Sequence, residues 1–322
     1  MKICSLLPSA TEIVYALGLG DSMVAVSHEC DYPLEARQKP VITASALKVE
    51  DLTPREIDHG IKAQLHKGRS IYHLDEELLK RLRPDLILTQ ELCEVCAVAY
   101  SEVLQAAKVL SGEPTIVSLE PNTLEDILDN ILQVGRLTGT QDKADEVVAS
   151  LSRRIRGVVA TARGASNRPR VLCLEWLDPT YIGGHWVPGM VEAAGGMDGL
   201  GIKGQRSFVV PWKQIADYAP EIVVLMPCGF GVERTLKELK RFVLPAQWYN
   251  LPAVRNGQVY AVDGSSYFSR PGPRVVDGLE ILAQIIHPEL FPRTASADAL
   301  FPLAGSSYMS ASPERVQESK RQ

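Results

Sequence analysis

The sequence predicts an α/β protein: two Rossmann-like lobes joined by a long rigid helix, with a ligand cleft between them. Three observations predict it. Short apolar strands alternate with amphipathic helices in both halves, the order that builds parallel sheets. From about Thr140 to Gly164, Ala144, Val147, Val148, Leu151, Ile155, Val158, Val159 and Ala162 recur at three- and four-residue spacing, the period of one long helix. Arg83-Pro84-Asp85 before one apolar strand is echoed by Ala219-Pro220-Glu221 before another, as in a diverged internal duplication.

Taken in order, Lys2 to Leu7 reads as a strand, and Ser9-Ala10-Thr11-Glu12 as a capping box opening the helix Ile13 to Leu17. Ser22 to Ser27 and Val41-Ile42 follow as strands. Pro54, at an allowed first-turn position, starts a helix to Leu65. Asp75 to Leu82 is a helix, and Asp85 to Thr89 a continuous apolar strand suited to the inside of a parallel sheet. A helix from Cys96 to Leu110, the strand Thr115 to Leu119 and the helix Leu124 to Leu137 lead into the long helix. Thr140 caps that helix, and Arg153, Arg154, Arg156 and Arg163 suit the negative end of its dipole. Roughly two dozen residues make a strut of about 35 Å. The second half repeats the plan: strands at Arg170 to Leu174, Glu221 to Leu225 and Gln258 to Val262, and helices at Pro188 to Ala194, Pro211 to Tyr218, Thr235 to Phe242 and Arg274 to Ile286.

A chain of 322 residues is long enough for two ordinary domains. Residues 1–121 are read as an N-terminal lobe, 122–165 as connecting helices including the strut, 166–300 as a C-terminal lobe, and 301–322 as a disordered tail. Hydrophobic residues make up 45% and charged residues 23%, ordinary for a globular protein. The net charge of −5 gives no basic footprint for nucleic acid. No apolar run reaches the roughly 18 residues of a membrane span. The opening apolar run is short for a signal peptide, so a cytoplasmic protein is expected. Six cysteines in so long a chain are no disulfide framework.

In open parallel sheets, ligands bind beyond the carboxyl ends of the strands. Those ends carry Pro8-Ser9, His28-Glu29-Cys30, Gln90, Cys93, Trp176 to Trp186, Cys228 and Ser265 to Arg270. Cys93 and Cys96 form a C-x-x-C at the start of a helix, where a thiol pKa falls. Such a pair suits redox chemistry or a metal, and buried cysteine acting as a small hydrophobe is an equal alternative. His28, Cys30, His185 and Cys228, facing one another across a closed cleft, would suit zinc or the axial position of a metal in a macrocycle. All four tryptophans fall in the second half. Trp176, Tyr181, Trp186, Tyr267 and Phe268 offer flat apolar area for a large flat ligand, whereas Trp212 and Trp248 read as core. No G-x-S-x-G elbow or phosphate-binding P-loop is present.

Four stretches carry a family likeness: Ser5-Leu6-Leu7-Pro8-Ser9-Ala10-Thr11-Glu12, Asp31-Tyr32-Pro33, Leu82-Arg83-Pro84-Asp85-Leu86-Ile87 and Tyr267-Phe268-Ser269-Arg270-Pro271-Gly272-Pro273-Arg274. In this order they resemble the iron-siderophore and vitamin B12 substrate-binding proteins of ABC importers, nearest the cobalamin-binding members. The likeness runs from about Lys2 to His287. It implies lobes bridged by a long helix, a fairly rigid cleft, a non-enzymatic role and an ABC permease as partner. Trp176, Tyr181 and Tyr267 match positions where cobalamin binders set aromatics against the corrin. In the first lobe Glu29 and Gln90 stand where aromatics would be, beside His28. Glu77 matches an acidic position that docks on transporter arginines. The expected ligand is cobalamin or another corrinoid, held by Pro8, Ser9, His28, Glu29, Gln90, Trp176, Tyr181, Trp186, Tyr267, Phe268 and Arg270, with Cys93, Cys96 or His28 near the metal. Alternatives are an iron chelate, zinc, or a thiol oxidoreductase or corrinoid-processing enzyme using Cys93 and Cys96.

Overall fold

The computed structural model describes residues 1–47, 52–66, 71–90 and 114–304. In chain order the first lobe comprises β1 (Ile3–Ser5), α1 (Pro8–Ala16), β2 (Met23–Val26), β3 (Thr43–Ser45), α2 (Pro54–His66), β4 (Tyr72–Leu74), α3 (Glu76–Leu82), β5 (Leu86–Thr89) and β6 (Thr115–Ser118). Its parallel sheet has the order β2-β1-β5-β6, and β3 and β4 form a separate antiparallel pair. A helical pair follows, α4 (Leu124–Thr138) and α5 (Gln141–Ala162). The second lobe comprises β7 (Val171–Trp176), β8 (Tyr181–Ile182), α6 (Val187–Ala193), α7 (Trp212–Tyr218), β9 (Ile222–Leu225), α8 (Val232–Arg241), α9 (Pro252–Arg255), β10 (Val259–Val262), α10 (Gly264–Tyr267), α11 (Val275–Ile286) and β11 (Leu300–Pro302). Its sheet order is β11-β10-β9-β7-β8, parallel through the centre with antiparallel strands at both edges.

The repeated tripeptide does the same work in each lobe. Arg83 (φ 49°) and Ala219 (φ 51°) both end a helix in the left-handed region. Proline then stops the helix and the acid leads into the central strand. The Asp85 carboxylate accepts the Lys2 backbone N–H at 2.6 Å, and Glu221 accepts that of Arg170 at 3.0 Å. The duplication read from sequence is thus a duplicated device for setting strand register. β5, β9 and β10 are buried at every residue, as their unbroken apolar runs require.

Several local expectations are corrected. The third strand is β3, while Val41 makes only a bridge to Val26. The expected helix over Cys96 to Leu110 lies outside the described residues. β11 continues the second sheet past residue 300, where a tail was expected to begin, and residues 305–322 lie outside the described residues. The strut is one arm of a hairpin. Gly139 (φ 70°) makes the turn, and a side chain at Gly135 would meet the Ala144 Cβ at 2.4 Å, so glycine lets the two helices touch. Thr140 makes no capping bond to the backbone; its hydroxyl meets that of Thr138 at 2.9 Å. Arg154 reaches sideways to Asp277 and to Glu280 (2.8 Å) on α11 instead of serving the helix terminus.

One apolar cluster passes through both lobes. It runs from Ile3, Leu7 and Ile13 through Ile127, Ile131 and Leu151 to Met190, Val224, Leu279 and Ile286. Beside it lies a polar seam. Glu12, buried in α1, has no capping function: its carboxylate crosses to the second lobe and accepts from Arg274 Nε (3.1 Å) and Nη2 (2.6 Å). Arg270, also buried, donates to Asp31, to the Glu29 carbonyl (3.3 Å) and to Ser265 Oγ (3.2 Å). A shared apolar interior with a bidentate buried pair holds the lobes in one relation, whereas small polar interfaces leave domains free to move.

Removing one partner of such a pair leaves a buried charge, which costs about 3–5 kcal/mol. Glu12→Ala is therefore expected to lower stability by that order in denaturant unfolding. The apolar double replacement Glu12→Met with Arg274→Leu should recover most of the loss. Equal losses in the single and double variants would contradict the pairing.

Candidate functional site

The carboxyl ends of β1, β2 and β5 face those of β7, β9 and β10 across the seam, and the expected site residues lie along this line. In the first lobe Pro8 is partly exposed as the first residue of α1, while Ser9 and Gln90 are buried. Glu29 is exposed and His28 half-buried after β2. In the second lobe Trp176 ends β7, Tyr181 opens β8 and Tyr267 closes α10, each partly exposed. Trp176 stacks at a tilt on Phe230, with ring centroids 5.1 Å apart.

Other expected residues are committed elsewhere. Trp186 is buried and donates its indole N–H to the Phe268 carbonyl at 2.9 Å, and Phe268 is 2% exposed. Both rings belong to the interior of the second lobe, not to a ligand face. Arg270 is taken up by the lobe seam. Cys30 also turns inward: Thr11 Oγ1 lies 3.1 Å from its sulfur, and burial pushes its thiol up to about 11. His185 is partly exposed and packs beside Trp186, ring centroids 5.5 Å apart. Trp248 is core, as expected, with Trp212 edge-on to it at 6.1 Å. Cys93 and Cys96 lie outside the described residues. Among the described residues, no group of three or more His, Cys, Asp or Glu gathers to hold a metal ion.

His28 is held from behind. Its Nδ1 sits 2.7 Å from Thr43 Oγ1, which also accepts the His28 backbone N–H at 3.0 Å. Its ring tilts against Tyr72 at 5.4 Å, and Nε2 lies 3.4 Å from Glu29 Oε1. Burial lowers its pKa, with Glu29 opposing, so the ring is neutral at neutral pH and keeps a lone pair. Asp31 is held below the ordinary carboxylate range: burial opposes its charge, and the bond and charge of Arg270 outweigh that.

Sequence reasoning did not single out Glu175, Arg55 or Asp178. Glu175 sits beside Trp176 at the end of β7 and accepts the Gly184 N–H at 3.3 Å. Burial pushes its carboxyl up to about 7 against that bond and one from Ser207. Arg55, at the start of α2, reaches across to Asp178 with Nε–Oδ2 at 2.9 Å and Nη2–Oδ1 at 3.3 Å. The same turn supplies the Pro54 carbonyl that accepts the Trp176 indole N–H at 3.1 Å. The signal for Glu12, Asp31 and Arg274 was present, since all three fall inside the quoted motifs, but nothing local says that they pair.

The sequence profile of the periplasmic binding proteins matches residues 3–265. A substrate-binding lipoprotein of an ABC transporter from Bacillus subtilis is 27% identical over 295 residues, covering 90% of this chain and 81% of the relative. A vitamin B12-binding protein of Vibrio cholerae is 26% identical over 283 residues, covering 87% and 86%. A solved periplasmic heme-binding protein from Roseiflexus superposes with a TM-score of 0.68 at 21% identity, covering 89% of this chain and 98% of that one. These matches overturn the cytoplasmic expectation: proteins of this kind, periplasmic or lipid-anchored, work outside the cytoplasm. That expectation rested on where the sequence begins, which says nothing about a leader. They also set aside the thiol-enzyme reading, because ABC substrate-binding proteins bind and deliver.

A carboxyl raised from 4.5 to about 7 favours the fold while it is protonated, and that contribution is lost as pH rises through 7. The contribution of Glu175 is expected to fall between roughly pH 5 and 7 by up to about 3 kcal/mol, while His28 and His185, whose pKa values burial lowers, act in the opposite sense. Glu175→Gln, which keeps an acceptor for Gly184, should abolish the falling component of that slope in denaturant melts. An unchanged slope would remove Glu175 as its source.

Proposed function

We propose, from the premise that this chain belongs to the periplasmic binding protein family, that it captures a corrinoid in the cleft between its lobes and passes it to an ABC permease. The observation that carries this reading is the asymmetry of the cleft. The second lobe presents Trp176, Tyr181 and Tyr267 at its strand ends, partly exposed, while the first presents Pro8, His28 and Glu29. Flat aromatic area on one side suits the face of a macrocycle, and polar groups on the other suit its amide rim. The vitamin B12-binding relative supports a corrin, and the heme-binding neighbour supports the second reading below. Trp186, Phe268 and Arg270 act indirectly, by holding the second-lobe wall in place, and Ser9 and Gln90 do the same in the first. Glu77, exposed in the first turn of α3 with Lys80 at 2.7 Å, is one contact offered to the permease.

His28 carries a second feature of the reading. Its imidazole is fixed at Nδ1 by Thr43, and Nε2, buried with no hydrogen-bond partner and 3.4 Å from Glu29 Oε1, would serve a metal at the centre of the macrocycle once Glu29 swings aside. An iron chelate such as haem is the second reading, favoured by the same imidazole.

Absorbance titration of the purified protein with cobalamin, beside hemin and with metal analysis, tests both. Cobalamin is expected to bind at micromolar concentration with a spectral shift. Trp176→Ala or Tyr267→Ala should weaken it about tenfold, about 1.4 kcal/mol. His28→Ala should change the visible bands more than the affinity. A response to hemin alone would replace the ligand, and a response to neither would overturn the reading.

A further inference from the structure

Among the described residues, the lobes meet at two junctions of opposite character. The first is the apolar cluster with the Glu12–Arg274 pair. The second is made by the start of α2, which leaves the first lobe between β3 and β4 and touches the loops that follow β7 and β9. Apart from Pro54 and Ile57, the residues of α2 whose burial is described are partly or fully exposed. Among the described residues its contacts with the second lobe include the Arg55–Asp178 ion pair, the Pro54 carbonyl accepting from the Trp176 indole, the Leu52 carbonyl accepting from Arg234 Nη2 at 2.8 Å, and Lys62 Nζ 5.9 Å from the Tyr181 ring centre. Arg55 is 62% exposed, so water competes for its ion pair. Beneath this turn lies a cavity of about 510 Å³, walled by Thr53, Pro54 and Arg55 on one side and by Val209, Trp212 and Phe242 on the other. The cavity opens to solvent along exposed Arg55 and Val209, so water reaches the junction there.

We propose that residues 52–66 form a strap laid from the first lobe across the cleft, latched by Arg55–Asp178 and Pro54–Trp176, and that its release admits and frees the ligand. This rests on the cleft being the binding site. With the lobes held by the first junction, a large flat ligand needs some other element to give way. The strap has Trp176 and Tyr181, two of the three aromatics assigned to the ligand, among its second-lobe partners. A latched strap holds the Trp176 indole N–H; a released one leaves that ring free to settle on the ligand. Low-stability, water-exposed contacts are where such gating elements are found.

Two measurements test it on the full chain. In stopped-flow absorbance with cobalamin, Arg55→Ala should raise the association and dissociation rates together, several-fold each, with the equilibrium constant nearly unchanged. The double variant Arg55→Cys with Asp178→Cys, bridged by a short bis-methanethiosulfonate reagent that spans the length of the original ion pair, should slow both rates at least tenfold, and reductant should restore them. Wild-type protein treated with the same reagent is the control. A cross-linked strap that binds at the wild-type rate would overturn the proposal. Hydrogen exchange without ligand separates this from the binding assignment: residues 52–66 should exchange faster than α1 and α11, and faster still in Arg55→Ala. A strap as protected as α1 would overturn the gate even if cobalamin binds. If cobalamin does not bind, the corrinoid assignment fails, and the exchange pattern alone decides whether the strap opens.

Discussion

The Glu12 carboxylate, buried at the seam and gripped by two guanidinium nitrogens of an arginine from the other lobe, is the constraint on which the rest depends. Taken alone, such a pair adds little net stability, because desolvating two charges offsets most of their attraction. Burial raises the Glu12 pKa despite Arg274, which shows how large that desolvation is. What the pair supplies is geometry: a bidentate carboxylate–guanidinium contact tolerates one orientation. Arg274 also lies 4.0 Å from the centre of the Tyr32 ring and 5.8 Å from that of Tyr267. The seam therefore ties both cleft walls to one side chain. Beside it, the apolar cluster threading α4 and α5 makes separation of the lobes as costly as opening a core.

A cleft fixed in this way has a consequence for binding. The walls need not be ordered when ligand arrives, so little affinity is spent on closure. The second wall is supported from behind by the Trp186–Phe268 contact and by Arg270, and the first by Thr43 behind His28. On the proposed gating, the freedom that binding and release need lies in α2. Substrate-binding proteins of ABC importers must also release what they hold, and a fixed frame with one loosely attached strap separates holding from release.

Much of the fold was legible because its signals are local. Strands β5, β9 and β10 announced themselves as unbroken apolar runs, and the Arg83-Pro84-Asp85 repeat marked the duplicated helix-to-strand corner. What failed were local signals whose residues serve distant partners. Ser9-Ala10-Thr11-Glu12 has the spacing of a capping box, yet Pro8 already starts the helix without a donor to cap, and Glu12 is drawn to Arg274. The arginines of α5 have the placement of helix-terminus cations, yet Arg154 is matched to Asp277 and Glu280 on α11. The site divides along the same line. Trp176, Tyr181, Tyr267 and His28 stand at strand ends, as open-sheet geometry predicts. Trp186, Phe268 and Arg270 share that address but point inward, and side-chain direction in a loop has no periodicity to reveal it. The cytoplasmic expectation failed for a different reason: the start of a sequence is not a physical property of the folded chain.

The most direct test of a fixed cleft is the distance distribution between spin labels on Gln38 of the first lobe and Gln214 of the second, both exposed, measured by double electron–electron resonance. The account predicts one narrow distribution that stays unchanged with ligand and broadens in Glu12→Ala. A broad or two-peaked distribution in the unliganded wild-type protein, or a shift of several ångströms on binding, would contradict it and move the gate from the strap to the lobes.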